Sequence, residues 1–360
     1  MKLRNLKLSN YRNCADVSLD LDYDKIIIIG KNAQGKTNIL EGVYYLSCLK
    51  SPRTSNIKDF VQFGKTDFKI EGELFKSDTD ISLEVEYSLD KPKVVKLNGL
   101  KTTPKNYKSA LNTVLFSTQD LLLLRGTPQD RRDWLDNAIA QIYPTHDERL
   151  SKYSKIRVQK NNLLKSDIID DALLDVFNEQ IVITGSNIIY TRQKFLSELK
   201  KYALEKYSGI SMNEEFSFEY SVPYFEIDEI ADSLRNELNE RKSEELARHQ
   251  SCVGPHRDDV FFYLDNKDAT KFASQGQHRT VVLALKLAEI ELIRAKKGYS
   301  PVLLLDDVLA ELDDLRQNYL LKSISDETQT IITSVDTLLF EDEFLQNVKI
   351  YNISNGEVMR

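Results

Sequence analysis

Gly30-Lys31-Asn32-Ala33-Gln34-Gly35-Lys36-Thr37 fits G-x-x-x-x-G-K-[ST] in full. Its flanks give the pattern meaning. Lys25-Ile26-Ile27-Ile28-Ile29 is a continuous β-branched run, which predicts a strand buried on both faces of an α/β sheet. A helical pattern follows from Lys36 to about Leu49. Strand, glycine loop and helix together make a phosphate cradle. The glycines let the backbone curl until its N–H groups face an anion. The helix start adds the positive end of its dipole. Lys36 then reaches the β- and γ-phosphates, and Thr37 offers a hydroxyl to Mg2+. The expected ligands are therefore ATP and Mg2+.

A second acidic element lies far downstream. Val302-Leu303-Leu304-Leu305-Asp306-Asp307 is an apolar run ending in two carboxylates, the form of a Walker B strand. Asp306 is expected to hold Mg2+ with Thr37, through water. Between the two elements, Ser274-Gln275-Gly276-Gln277 opens a strongly amphipathic helix with Val281, Leu285, Ala288 and Leu292 on its buried stripe. A serine hydroxyl and free N–H groups at a helix start make a second anion site.

The rest of the chain sets the frame. The 41% hydrophobic and 29% charged content of 360 residues is that of a soluble globular protein of one large domain or two ordinary ones. No segment approaches the roughly 20 apolar residues of a membrane span, and MKLRNLKLSNYRN lacks the apolar core of a signal peptide. The expectation is a cytoplasmic protein with no membrane partner. Cys14, Cys48 and Cys252 lie far apart and read as buried or inert thiols. His146, His249, His256 and His278 form no zinc pattern. The net charge of −7 does not advertise nucleic acid, so a DNA surface must be a confined basic patch. Lys152, Lys155, Arg157, Lys160 and Lys165 are the densest candidates.

Patterning divides the chain. Leu3, Leu6 and Leu8, then Val17, Leu19 and Leu21, alternate like strands. Residues 68 to 97 read as an antiparallel β subdomain, with Asn98-Gly99 a hairpin turn, and Val114-Leu115-Phe116 is another short apolar run. Thr127-Pro128-Gln129-Asp130 reads as a helix start. Long charged stretches at helical spacing then run to about Ala247. The predicted architecture is an α/β P-loop ATPase head, residues 1–126 and 248–360, with a helical lobe inserted at 127–247.

Taken in order, these motifs resemble the ABC-type ATPases. The signature is similar to Ser-Gly-Gly-Gln, with Gln275 in place of the first glycine. The resemblance implies that it closes on the γ-phosphate held by a second protomer. Ala310-Glu311-Leu312-Asp313 resembles the D-loop that crosses that interface. Asp307 stands where many ABC ATPases carry a glutamate that positions the attacking water, so it is the expected catalytic carboxylate beside Lys36. Its shorter arm implies slow hydrolysis. Gln119 is a candidate for the Q-loop residue. After Thr330-Ile331-Ile332 many ABC proteins carry a switch histidine, and this chain has Thr333-Ser334-Val335-Asp336. Ser334 and Asp336 remain alternative γ-phosphate sensors.

The match narrows to the RecF family of SMC-like ATPases. It rests on Asn10-Tyr11-Arg12-Asn13, Gly35-Lys36-Thr37-Asn38-Ile39-Leu40-Glu41, Ser51-Pro52-Arg53-Thr54, Arg125-Gly126, Arg131-Arg132-Asp133-Trp134-Leu135-Asp136, Gly254-Pro255-His256-Arg257-Asp258-Asp259 and Asp306 through Asp313. The resemblance implies Arg12 and Asn38 at the nucleotide. It leaves Arg53, His256 and Arg257 to the site or an interface. It also implies an ATP-dependent homodimer that binds single-strand gaps and duplex junctions in DNA. RecR and RecO would be its partners in loading RecA, within DNA repair, replication and the SOS response. The insert of about 120 residues shows no sustained heptad run, consistent with a short lobe rather than a long coiled coil.

Two other P-loop readings fit less well. A transporter ATPase would carry a glutamate at Asp307, a switch histidine and a shorter insert. A P-loop kinase has no use for Ser274-Gln275-Gly276-Gln277. A third, a DNA-binding module with a vestigial nucleotide site, is opposed by the complete Lys36, Thr37 and Asp306 set.

Overall fold

The computed structural model describes residues 1–211 and 214–359. Contacts divide the chain into two compact units, Met1–Leu121 with Val282–Arg360, and Leu122–Val281.

The first unit holds two six-stranded sheets. One is antiparallel, in the order Cys14–Asp20, Lys2–Tyr11, Asp67–Lys76, Thr79–Ser88, Lys91–Leu97, Leu100–Lys101. Asn98 and Gly99, with φ of 50° and 74°, make the expected tight turn between its last strands. The other sheet runs Glu357–Met359, Val348–Ser354, Lys25–Ile29, Thr330–Ser334, Val302–Asp306, Thr113–Ser117. It is parallel except for its terminal hairpin. The helix Lys36–Cys48 joins the two sheets in one core. Its Ile39, Leu40 and Val43 pack in a cluster with Leu3 and Leu8 of the antiparallel sheet and Val302, Leu304 and Ile331 of the parallel one. Gly42 permits the approach, since a Cβ there would lie 2.9 Å from Leu8 Cδ2.

Register decides where the chemistry falls. In the parallel sheet Asp306 pairs with Thr333 and Ser117, and Ser334 pairs with Ile29. The C-terminal ends of four strands therefore come to one edge. Gly30, Ser117–Gln119, Asp306–Asp307 and Ser334 all lie there, at the crevice where open α/β sheets bind ligands.

The second unit is built around helices Pro128–Ile142, Thr145–Leu164, Asp171–Ile210 and Ile227–Glu240. Thr127 and Asp130 form a reciprocal capping box, as their spacing predicts. The unit also holds a three-stranded sheet in the order Lys267–Asp268, Val260–Leu264, Phe216–Tyr220. The sequence reading gave the lobe no strand and ended it at residue 247. The pairing of Phe216–Tyr220 with Val260–Leu264 ties the chain beyond 247 into this unit, so it extends to Val281.

Much of this unit's polar core comes from the segments 131–136 and 254–259. Arg192 Nε and Nη2 donate to the two oxygens of Asp136, each at 2.8 Å. Its Nη1 donates to Pro255 O and Tyr220 Oη, and Tyr220 Oη donates to Asp258 Oδ2. Burial raises the Asp136 carboxyl, but Arg192 and His146 outweigh it and hold it well below the usual range. Burial pushes Asp258 the other way, up to about 6. Arg131 makes a fork on Asp259, with both bonds at 2.7 Å. Among the described residues no helix is long and apolar enough to cross a membrane.

Candidate functional site

A cavity of about 580 Å³ opens at the sheet edge. Its wall includes Asn32 through Asn38 of the loop and helix start, Gln119, Asp306 and Asp307. Gly35 takes φ +112°, and a Cβ there would meet Asn13 Oδ1 at 2.9 Å, so the loop both needs and protects a glycine. Lys36 is buried. Its Nζ donates to Gly30 O at 2.8 Å and Lys31 O at 3.4 Å, and lies 4.0 Å from Asp307 Oδ1. The ammonium is thus held across the loop by carbonyls that a phosphate could replace.

Thr37 Oγ1 donates to Asp306 Oδ1 at 3.0 Å, and Thr333 Oγ1 donates to the same oxygen at 2.9 Å. Burial pushes the Asp306 carboxyl up despite these bonds. A hydroxyl and a desolvated carboxylate meeting at the cavity fit Mg2+, whose charge would offset that desolvation. Asp307 has φ 51°, and its N–H donates to Thr333 Oγ1 at 2.9 Å. The left-handed turn places successive carboxylates at different points of the site. Aspartate tolerates this conformation better than most residues.

Other expected residues fall at varied distances from this cavity. Gln119 lies on its wall. Arg12 is not itself on the wall, but its Nε and Nη2 fork onto Glu41, which is, at 2.9 and 2.7 Å. Arg53, which sequence left without a role, reaches the wall with Pro52. Its Nη1 donates to Asn38 Oδ1 at 2.6 Å and lies 3.4 Å from Glu41 Oε2. Asn13, next to Arg12, is a wall residue that the reading missed. Its Oδ1 accepts from Asn38 Nδ2 at 2.8 Å. Ser334 is buried, with its carbonyl accepting from Gly30 N at 3.3 Å. Asp336 is exposed and accepts from Leu338 N. No sequence signal marked the strut beneath the loop. Asn355 N donates to Gln34 Oε1 at 2.6 Å, and Gly356 N to Gln34 O at 2.8 Å.

Ser274 and Gln275 are exposed at the start of the helix Gln275–Lys297. Ser274 Oγ accepts from Gln277 N, and Gln277 Oε1 accepts from Ser274 N, a reciprocal cap. Gln277 Nε2 donates to Glu214 Oε1. In the first unit Ala310 and Glu311 are exposed on a single 3-10 turn, and Asp313 caps the helix Asp314–Ser323.

His256 and Arg257 serve the second unit's own structure. His256 Nδ1 accepts from Tyr153 Oη at 2.6 Å, and its Nε2 donates to Ser251 O at 3.2 Å. Burial drives this imidazole down to about 3, so it is neutral. Arg257 Nη2 donates to the same carbonyl. Lys160 drops out of the basic candidates. It is 0% exposed and paired with Glu245 at 2.5 Å. Lys152, Lys155 and Lys165 are exposed, and Arg157 is half-buried.

The fold is that of an SMC-like ABC-type ATPase head. The sequence model of the RecF/RecN/SMC N-terminal domain family matches residues 2–358. The DNA replication and repair protein RecF of Streptococcus gordonii is 42% identical over 363 residues, covering 99% of this chain and 100% of that protein. Two solved structures of the recombination mediator protein RecF in the RecFOR pathway, one with ATPrS and one with ATP, superpose with TM-scores of 0.92 and 0.91. Each is 32% identical and covers 99% of this chain and 97% of that one. The chain belongs to the RecF family.

Proposed function

We propose that this chain binds ATP and Mg2+ at the sheet-edge cavity, dimerises on ATP, and binds gapped or junction DNA in recombinational repair. It does so with RecR and RecO and hydrolyses ATP slowly. The carrying observation is the convergence of Lys36, the Thr37–Asp306 pair and Asp307 on one cavity at the start of a helix. A relative named as a DNA replication and repair protein, and two solved structures of the recombination mediator protein RecF, one with ATPrS and one with ATP, support the reading.

The loop N–H groups cradle the phosphates. Lys36 exchanges its two carbonyl partners for β- and γ-phosphate oxygens and gains charge-assisted bonds. Thr37 and Asp306 hold Mg2+, which when bound neutralises charge developing on those oxygens. Asp307 accepts a proton from the attacking water. Its arm is one methylene shorter than glutamate, so the carboxylate meets the water poorly and turnover is slow. Ser274 and the exposed helix start behind it offer donors to a γ-phosphate on a second protomer. The interface is then isologous and holds two composite sites.

Substituting Ser274→Arg should leave ATP binding by the monomer within about twofold, because Ser274 is not on the cavity wall. The ATP-dependent dimer should disappear in sedimentation. A variant that still dimerises with ATP as wild type does would refute the composite site.

DNA contact uses the exposed Lys152, Lys155 and Lys165, doubled in the dimer. ATP then tightens binding by avidity rather than by new base contacts. Affinity for gapped duplexes should fall steeply with salt, ignore base sequence, and rise more with ATP than with ADP. A salt titration on two unrelated gapped sequences with each nucleotide tests this. Equal affinity with ATP and ADP would detach the nucleotide site from DNA.

A further inference from the structure

A second cavity, of about 480 Å³, lies wholly within the Leu122–Val281 unit and has no part in the nucleotide chemistry. It follows the strand Phe216–Tyr220, which is the edge of the three-stranded sheet. The long helix contributes Gln193, Leu196, Ser197 and Lys200 to one wall, and the turn after the strand contributes Val222 and Phe225. Phe225 is 64% and Phe261 42% exposed at this site, so two aromatic rings flank the groove in water.

The backbone of the edge is polarised. Ser221 N donates to Asp259 O, and Asp265 N donates to Glu215 O, so the odd-numbered residues bond to the neighbouring strand. Antiparallel alternation turns the N–H and C=O groups of Phe218, Tyr220 and Val222 to the open side. Gln193 already uses one of them. Its Nε2 donates to Val222 O at 2.6 Å. That bond fixes which end of the amide is oxygen, and the buried Oε1 has no partner among the described residues. Gln193 is 4% exposed and lines the cavity. A buried acceptor without a donor is destabilising unless a ligand supplies one. Two charged side chains line the groove, Glu219, whose Oε1 already accepts from Tyr263 Oη at 2.8 Å, and Lys200. Among the described residues Lys200 has a ring contact, with Nζ 5.9 Å from the Phe218 centroid, and no carboxylate partner.

We propose that this groove binds an extended, acidic peptide segment of a partner protein. The segment adds a fourth strand on the Phe216–Tyr220 edge. Its backbone N–H groups meet the outward carbonyls and Gln193 Oε1. One apolar side chain packs against Leu196 and Phe225, and a carboxylate lies on Lys200. This is strand addition: main-chain bonds give affinity, and alternate side chains give choice. The proposal is independent of the nucleotide reading.

The test is fluorescence anisotropy on the full chain. The probe is an acetylated, labelled octapeptide alternating phenylalanine or valine with aspartate. Comparison probes are its twin N-methylated at alternate amides, a twin with lysine for aspartate, and oligothymidylate of equal length. The acidic peptide should bind with a Kd below about 100 µM. N-methylation in the register that faces the edge should weaken it about tenfold or more, because it removes the donors and leaves the side chains. Lys200→Glu should weaken the acidic peptide and improve the lysine twin. Ser197→Arg, an exposed position, should block both. Exchange at the Phe218 and Tyr220 amides should slow about tenfold on binding, as new ladder bonds require. Absence of binding up to about 1 mM, equal affinity of both N-methylated registers and the parent, or tighter binding of oligothymidylate at the same residues would overturn the proposal.

Discussion

Lys36→Met should abolish ATP binding: affinity should fall about a hundredfold or more, on the order of 3 kcal/mol. Lys36 is buried at the loop, and its ammonium is already held over the phosphate position by Gly30 O and Lys31 O. Methionine fills the same tunnel with an apolar chain, so the fold should survive. What disappears is the cation facing three phosphates, together with its charge-assisted bonds. Titration with a fluorescent ATP analogue measures the loss, and circular dichroism checks folding. A folded Lys36→Met variant that binds and turns over ATP normally would sink the nucleotide assignment. The dimer and the tightening of DNA binding by ATP should vanish with it.

Asp136→Ala should destabilise the second unit by about 3–5 kcal/mol, since it strips the fork from a buried guanidinium. Arg192 is buried and would keep only Tyr220 and Pro255 as near partners, with Asp258 Oδ2 at 3.9 Å. For a unit of this size that is a drop in Tm of about 6–20 °C. Adding Arg192→Met should recover part of the loss, because no charge is then left unpaired. The residues on the nucleotide cavity wall belong to the other unit, so ATP binding should persist in both variants. A loss below about 1 kcal/mol would mean that the pair is already solvated and carries little.

The same network should give the unit a pH signature. Asp258 is pushed up to about 6 by burial, whereas an unfolded aspartate titrates near 4. Between about pH 4 and 6 the folded state holds a proton that the unfolded state has lost. Stability from this group therefore falls as pH rises through that window and is flat above it. Asp258→Asn should remove that slope. Asp136, held low, acts in the opposite sense: its contribution is present above about pH 4 and is lost only in stronger acid.

The sequence by itself determined the elements whose chemistry is local. A phosphate loop needs adjacent backbone amides, a lysine and a hydroxyl within eight consecutive residues, so Gly30 to Thr37 is legible as a string. The β-branched run before it and the Thr127–Asp130 capping box are local for the same reason: backbone sterics and short-range bonds specify them. The order of the loop, the signature and Val302–Asp307 was enough to indicate the ATPase class. Tertiary structure decided what depends on which distant side chains share a burial site. Lys160 reads as a DNA-facing charge on a basic helix, and only the packing of Glu245 against it removes it from the surface. Arg12 reads as a phosphate ligand, and the structure joins its Nε and Nη2 to Glu41 of the neighbouring helix, a wall residue of the cavity that Arg53 also reaches. The strand Phe216–Tyr220 is too short to declare itself in a lobe of helices, and it becomes a strand by pairing with Val260–Leu264. Periodicity reports how a segment meets its own neighbours in sequence. It carries no information about which partner, 85 residues away in the case of Lys160, neutralises a charge.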